Sequence, residues 1–127
     1  MTMATCREAI ERYLAAYNSF DVERMLAELH PDMEFTNRSN GKVTAHVRGR
    51  EEFRQLAERA AAIFASRRQT VREFRSEGVE ARITVDYEGV LAEDLSPELP
   101  AGHKLELTGG STFRFQDDLI ISIVDES

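Results

Sequence analysis

The sequence predicts an α+β fold, and three observations carry that prediction. Apolar residues recur at helical spacing through most of the first half of the chain. From residue 68 the period changes from helical to alternating. Turn signals stand at Asn40-Gly41, after a run that reads as a strand, and at Gln116-Asp117-Asp118, between two such runs. Helices first and antiparallel strands after them is the α+β order.

Each element follows from its own pattern. Over residues 5–18, Cys6, Ile10, Tyr13, Leu14 and Tyr17 form one helical stripe, with Arg7, Glu8, Glu11 and Arg12 off it. Asp21 is a good N-cap for a second helix with the stripe Val22, Met25, Leu26 and Leu29, stopped by His30-Pro31. A short strand follows, with Met33, Phe35 and Asn37 on one face. Residues 42–48 read either as loop or as edge strand. Gly49 precedes a third helix, whose stripe is Phe53, Leu56, Ala57, Ala60, Ile63 and Phe64. Residues 69–77 read as a strand in which Val71 and Phe74 are out of phase, so a bulge is expected. Val79, Ala81, Ile83, Val85 and Tyr87 give the clearest alternation in the chain. A loop with two prolines and a glycine occupies 92–103. Leu105, Leu107, Gly109, Ser111, Phe113 and Phe115 are the inward face of the next strand, and a tight hairpin leads to a last strand over 119–125.

The chain has 127 residues, which suits a single domain spanning 1–127. Its net charge of -7 disfavours nucleic acid and anionic membranes, both of which call for a clustered positive field. Cys6 is the one cysteine, so no intrachain disulfide can form. The N-terminal stretch is too charged for a signal peptide, and no apolar run reaches membrane-span length. Cytoplasmic residence is the expectation.

The order and spacing of Ile10-Glu11-Arg12-Tyr13-Leu14-Ala15-Ala16-Tyr17-Asn18, Asp21, His30-Pro31-Asp32-Met33-Glu34-Phe35, Arg48-Gly49-Arg50-Glu51 and Ser111-Thr112-Phe113-Arg114-Phe115 resemble the nuclear transport factor 2-like superfamily. Within it, the chain is most similar to SnoaL-like and ketosteroid-isomerase-like proteins, over nearly its whole length. The resemblance implies a cone, or cystatin-like roll: a curved antiparallel sheet closed by three N-terminal helices around an apolar cavity. In the isomerases a carboxylate base, a helix-one tyrosine and a protonated acid handle an enolate. By that resemblance Tyr13 stands in the position of the oxyanion tyrosine, Asn37 in that of the base and Ser111 in that of the acid. An amide has no useful proton affinity near neutral pH, so steroid-type isomerisation by that route is not expected.

Strand parity points to a polar patch as well. Asn37 shares a face with Phe35, Ser111 with Phe113, and Tyr13 and Tyr17 lie on the buried stripe of helix one. An unpaired buried polar group costs about 1–3 kcal/mol, so these groups either satisfy one another or meet a ligand. The ligand would be a small, mostly apolar molecule, carbonyl-bearing or hydroxylated, held by Tyr13, Tyr17, Asn37 and Ser111 between Phe35, Phe53, Phe113 and Ile123. Asp125 shares parity with Ile121 and Ile123 and would be a carboxyl against an apolar wall, a candidate catalytic acid or base alongside Tyr13. The alternative, favoured by its place near the end of the chain, is that 125–127 fray into solvent. Neither His30, His46 nor His103 has a partner at ligand spacing, and the chain has no Gly-rich phosphate loop, so no metal and no cofactor are expected. Arg82, Thr84, Asp86, Glu88, Lys104, Glu106, Thr108, Thr112 and Arg114, with Ile120 and Val124, fall on the outer sheet face, where a homodimer is expected. The alternatives to a binding pocket are an acid–base lyase, isomerase or cyclase that uses Asp125, and an assembly domain with a filled cone.

Overall fold

The computed structural model describes residues 2–127, so Met1 of the expected 1–127 span lies outside the description. Among the described residues the order is α1 (Met3–Asn18), α2 (Val22–Ala27), β1 (Leu29–Ser39), β2 (Lys42–Arg48), α3 (Gly49–Ile63), β3 (Phe64–Glu77), β4 (Glu80–Leu91), β5 (Lys104–Gln116) and β6 (Leu119–Glu126). The strands form an open sheet in the order β2-β1-β6-β5-β4-β3. Its pairings are antiparallel except for β1 with β6, which is parallel. That exception corrects the expectation of a wholly antiparallel sheet. β1, the first strand of the opening hairpin, and β6, the second strand of the closing one, lie side by side inside the sheet and run the same way. Among the described residues, no helix is long and apolar enough to cross a membrane.

Local chemistry sets the boundaries. Thr2 and Thr5 cap α1 reciprocally, and the Asp21 carboxylate accepts from the Arg24 N–H to start α2. Asn40 and Gly41 carry φ of 54° and 79°, and Asp117 and Asp118 carry 54° and 62°. Positive φ at both central residues is the type I′ geometry whose twist suits two-residue hairpins. The segment 42–48, ambiguous in sequence, is therefore an edge strand. Leu29, read as the end of helix two, instead opens β1 and pairs with Ile120, and an irregular register carries the chain through Pro31 before regular pairing resumes at Glu34. Phe64, read as the end of helix three, opens β3. The bulge expected near Val71 lies between Val71 and Glu73.

The core lies between the concave sheet face and the helices. Ile10, Tyr13, Leu14, Met25, Leu26 and Phe53 from the helical side meet Met33, Ile83, Phe113, Phe115, Ile120 and Ile123 from the sheet. Each fully buried aliphatic or aromatic side chain stabilises the fold by about 1.5–3 kcal/mol relative to exposure. Cys6 is part of this core and fully buried. Ile120 corrects the sequence reading, which put it on the outer face. A register shift between Arg114 and Phe115 leaves Ile121 as the extra residue, so the parity of β6 reverses there and Ile120 turns inward.

Candidate functional site

Sheet register builds the site row by row. Asn37 of β1 lies beside Asp125 of β6, and Asp125 beside Ser111 of β5. Ala45 and Ile83 flank this polar trio. The row beneath is apolar: Val47, Phe35, Ile123, Phe113 and Ala81. Above it, Gly109 pairs with Val85, and then Leu107 with Tyr87 and Tyr87 with Gln69. Over these rows lies a cavity of about 420 Å³, covered on its helical side by Tyr17, Leu56 and Ala60 and lined by Phe35, Asn37, Phe64, Gln69, Val85, Tyr87, Leu107, Ser111 and Asp125. Leu107, 51% exposed, forms an apolar lip. Gly109 belongs to the lining at a place where a side chain does not fit, because a Cβ there would sit 2.7 Å from the Glu126 carbonyl oxygen.

Of the residues singled out from sequence, Tyr17, Phe35, Asn37, Ser111 and Asp125 come together on this lining. Tyr13, Phe53, Phe113 and Ile123 do not. They are 5%, 3%, 1% and 1% exposed and belong to the packed core. Tyr13 meets Phe113 edge-on at 6.0 Å, and Phe53 meets Phe35 at 5.4 Å. Their rings fill the lower part of the cone and leave its upper part hollow.

Asp125 does not fray. The pairing of β6 holds it on both sides, and Ser127 N–H donates to the Arg38 carbonyl one step further on. Its Oδ1 accepts a 2.6 Å hydrogen bond from the Ser111 hydroxyl. Asp125 is half-buried and lines the cavity. Desolvation lifts its pKa from 3.8 to about 6, against the opposing pull of the Ser111 hydrogen bond. Asn37 donates its amide N–H to Thr44 Oγ1 at 2.7 Å, which leaves its carbonyl oxygen as an acceptor.

The other polar group at the cavity joins Tyr17 to a residue the sequence reading did not single out as a site, Tyr87. The Tyr17 and Tyr87 phenol oxygens are 3.2 Å apart and share a hydrogen bond. Burial pushes the Tyr17 phenol up, while Tyr87 and Arg67 pull it down. Burial also raises the phenols of Tyr87 and Tyr13, and for Tyr13 the Asp125 charge adds to the rise. Asn18 pins the end of α1 to β3, accepting from the Gln69 N–H at 2.8 Å and donating to its carbonyl at 3.2 Å. Behind Tyr17 lies Arg67, 5% exposed, its Nε donating to the Tyr17 carbonyl at 3.0 Å. Its guanidinium carbon stands 3.7 Å from the Tyr17 ring centre and 4.7 Å from that of Phe20. A desolvated cation over an aromatic face gains about 2 kcal/mol, which offsets part of the cost of burying it. The alternation that Tyr87 shares with Val85 is a signal that could have found it. Arg67 gives no such signal, because the start of β3 reads as the end of a helix.

Among the histidines, His46 lies on β2 rather than in a loop and faces Glu34, with Nε2 to Oε1 at 2.6 Å on the exposed edge of the sheet. This partner holds the Glu34 carboxyl below its usual range. His30 lies on β1, where its Nδ1 accepts from the Asp32 N–H at 3.0 Å. Neither reaches the cavity lining.

Comparison with known proteins places this geometry. The pattern of the SnoaL-like domain matches residues 10–123. No curated protein matches the chain. TsrD from Streptomyces laurentii is 25% identical and superposes with a TM-score of 0.79, over 99% of this chain and 90% of that one. A protein of ketosteroid isomerase-like fold from Catenulispora acidiphila, solved in complex with trimethylamine, is 17% identical, with a TM-score of 0.77 over 93% and 83% of the two chains. An LEH-like epoxide hydrolase of M. tuberculosis is 15% identical, with a TM-score of 0.76 over 97% and 82%.

Proposed function

The chain belongs to the SnoaL-like domain family of the nuclear transport factor 2-like superfamily, and from that premise we propose that it is an acid–base enzyme of the lyase, isomerase or cyclase kind, acting on a small, mostly apolar carbonyl compound bound in the cavity. One observation carries the reading: Asp125, half-buried and with its pKa raised by desolvation to about 6, borders a cavity of about 420 Å³. A base is most effective when its pKa lies near the working pH. As carboxylate, Asp125 takes a proton from the carbon next to the carbonyl. The C–H electron pair moves to form the C=C bond of an enolate, whose oxygen takes up the carbonyl π pair. The same carboxyl then returns the proton to carbon. The Ser111 hydroxyl fixes the orientation of the carboxyl, and the Asn37 amide, without proton affinity, serves as a hydrogen-bond partner.

The test is exchange of the α-hydrogens of a bicyclic ketone, 2-tetralone, in heavy water, followed by NMR. Wild type should accelerate exchange, with a rate that rises through pH 6 and then levels. Asp125→Asn should lose about two to four orders of magnitude. Equal rates with and without the Asp125 carboxyl would leave a non-catalytic binding module, the reading that Asn37 in the base position favours. A homodimer through the outer sheet face goes with either reading. There Arg75 lies directly beside Arg82 and Glu77 beside Glu80, like-charge neighbours that a two-fold partner can relieve. Sedimentation of wild type against Arg82→Glu tests it: the substitution should weaken the dimer, and a monomeric wild type would refute it.

A further inference from the structure

The polar row of Asn37, Asp125 and Ser111 offers a ligand hydrogen-bond acceptors. A β-bulge arranges this at one flank. Asn37 pairs with Ala45 and Arg38 with Val43, so Thr44 of β2 is the extra residue. The Thr44 hydroxyl donates to the Asn37 main-chain carbonyl at 3.3 Å. It can then only accept from the Asn37 side chain, at 2.7 Å, which fixes the amide nitrogen toward Thr44. The amide oxygen is the end left for a ligand. At the other flank Ser111 spends its one hydroxyl proton on Asp125 Oδ1 at 2.6 Å, and its lone pairs remain. Between them Asp125 Oδ2, as carboxylate, can only accept.

The charge of this row is as one-sided as its hydrogen bonding. Among the described residues no lysine or arginine pairs with Asp125, and the Ser111 hydroxyl alone opposes the effect of desolvation on it. Arg67 stands behind the Tyr17 ring and outside the lining. A desolvated carboxylate without a cation is costly to keep ionised. The walls suit the missing charge, because Tyr17, Phe35, Phe64 and Tyr87 line the same cavity and aromatic faces attract cations. A carbonyl oxygen brings no donor to such a row, and a hydroxyl brings one. A primary ammonium brings three donors, no acceptor and a positive charge.

We propose that Asn37, Asp125 and Ser111 together bind the protonated amine of a mostly apolar ligand, with Thr44 as the residue that positions Asn37. This inference rests on the cavity being a ligand site, as in the acid–base reading, and adds to it the group that the substrate carries. A cation held there also acidifies a neighbouring C–H. The substrate class is therefore an amino ketone whose amine lies beside the carbon that Asp125 deprotonates.

Two probes of one shape differ in the group they offer: 2-aminotetralin and 2-tetralone. Isothermal titration calorimetry measures both affinities from about pH 4.5 to about pH 7.5. The amine, with a pKa of about 10 like that of lysine, stays charged throughout. So do the phenols of Tyr13, Tyr17 and Tyr87 stay protonated, all of them raised by burial. At about pH 7.5 wild type should bind the amine about tenfold or more tightly than the ketone. At about pH 4.5 that preference should shrink to about twofold or less, as Asp125 takes up its proton. Asp125→Asn should abolish the preference at every pH. Glu126 also borders the cavity, and Glu126→Gln should leave the preference in place. Thr44→Val frees the Asn37 amide to turn and should cut the ratio of amine to ketone affinity about threefold, a ratio that loss of packing alone would not move. Thr44→Ser should restore it. Circular dichroism checks that each variant is folded. If Asp125→Asn fails to fold, the pH dependence in wild type carries the test. Equal or weaker binding of the amine, a preference undiminished at the acid end, or one that survives in folded Asp125→Asn overturns the proposal. No binding of either probe overturns it as well. Absence of the preference with ketone exchange still dependent on Asp125 refutes this inference alone. A preference that follows the Asp125 charge, with exchange indifferent to Asp125, supports it and refutes the acid–base reading alone.

Discussion

Replacing Asp125 by asparagine should remove a pH dependence of stability that the native chain gains on folding. The folded carboxyl binds its proton with a pKa of about 6, against 3.8 in the open chain. Between these values the native state holds a proton that the unfolded state has released, so stability falls as pH rises. The stabilisation is complete below 3.8, is lost progressively up to about 6, and stays lost above it. The gap corresponds to about 3 kcal/mol at about 1.4 kcal/mol per pH unit, or about 10 °C in melting midpoint for a chain of this size. The substituted amide keeps the shape and the acceptor for Ser111 but binds no proton. Denaturant titrations of wild type and Asp125→Asn from about pH 4 to about pH 7.5 measure the difference, in which the other titrating groups cancel. Relative to the variant, wild type should lose about 2.4 kcal/mol across that range, mostly below pH 6. A difference that stays flat, or that grows in favour of wild type, would refute the claim that burial governs this carboxyl.

Further outcomes rest on the same geometry. All three tyrosines, Tyr13, Tyr17 and Tyr87, are raised by burial, so folded protein should show almost no phenolate absorbance at about pH 10, whereas urea-unfolded protein titrates normally. The raised phenols hold their protons where the unfolded chain releases them, so they add stability below about pH 10 that is lost above it. Partial phenolate absorbance in folded protein at that pH would contradict this. The chain has no tryptophan, so tyrosine emission comes from the cavity and its floor alone. Filling the cavity with 2-tetralone should change that emission, and Tyr17→Phe should shrink the change. Gly109→Ala should destabilise by about 1–3 kcal/mol in denaturant titrations, since its methyl meets the Glu126 carbonyl. Phe113→Ala, which hollows the core beneath the site, should cost about 3–5 kcal/mol by the same measurement.

Much of this arrangement is legible in the sequence where strands are regular. The alternation through Phe35-Asn37 and Ser111-Phe113 places both polar residues on the inner face, and the register sets them on either side of Asp125. Parity also puts Asp125 on the right face, because no irregularity separates it from Ile123. What the pattern misses is what a one-residue shift changes. The bulge at Ile121 reverses Ile120, and the irregular start of β1 hides Leu29 and His30 inside a strand. Phe64 continues the apolar stripe of α3, so the helix pattern runs one residue into β3 and obscures the face to which Arg67 and Gln69 belong. The depth of the cone is equally absent from the pattern. Tyr13 and Phe113 are inward like Tyr17 and Ser111, and only the tertiary packing puts the first pair in the floor and the second at the cavity.

The most direct test is a crystal structure of the wild-type protein grown with 2-tetralone. The account predicts the ketone inside the cone, its activated carbon within reach of the Asp125 carboxylate and its oxygen directed away from that charge. An interior that stays vacant at saturating ketone, or a ketone bound only on the outer sheet face, would contradict it.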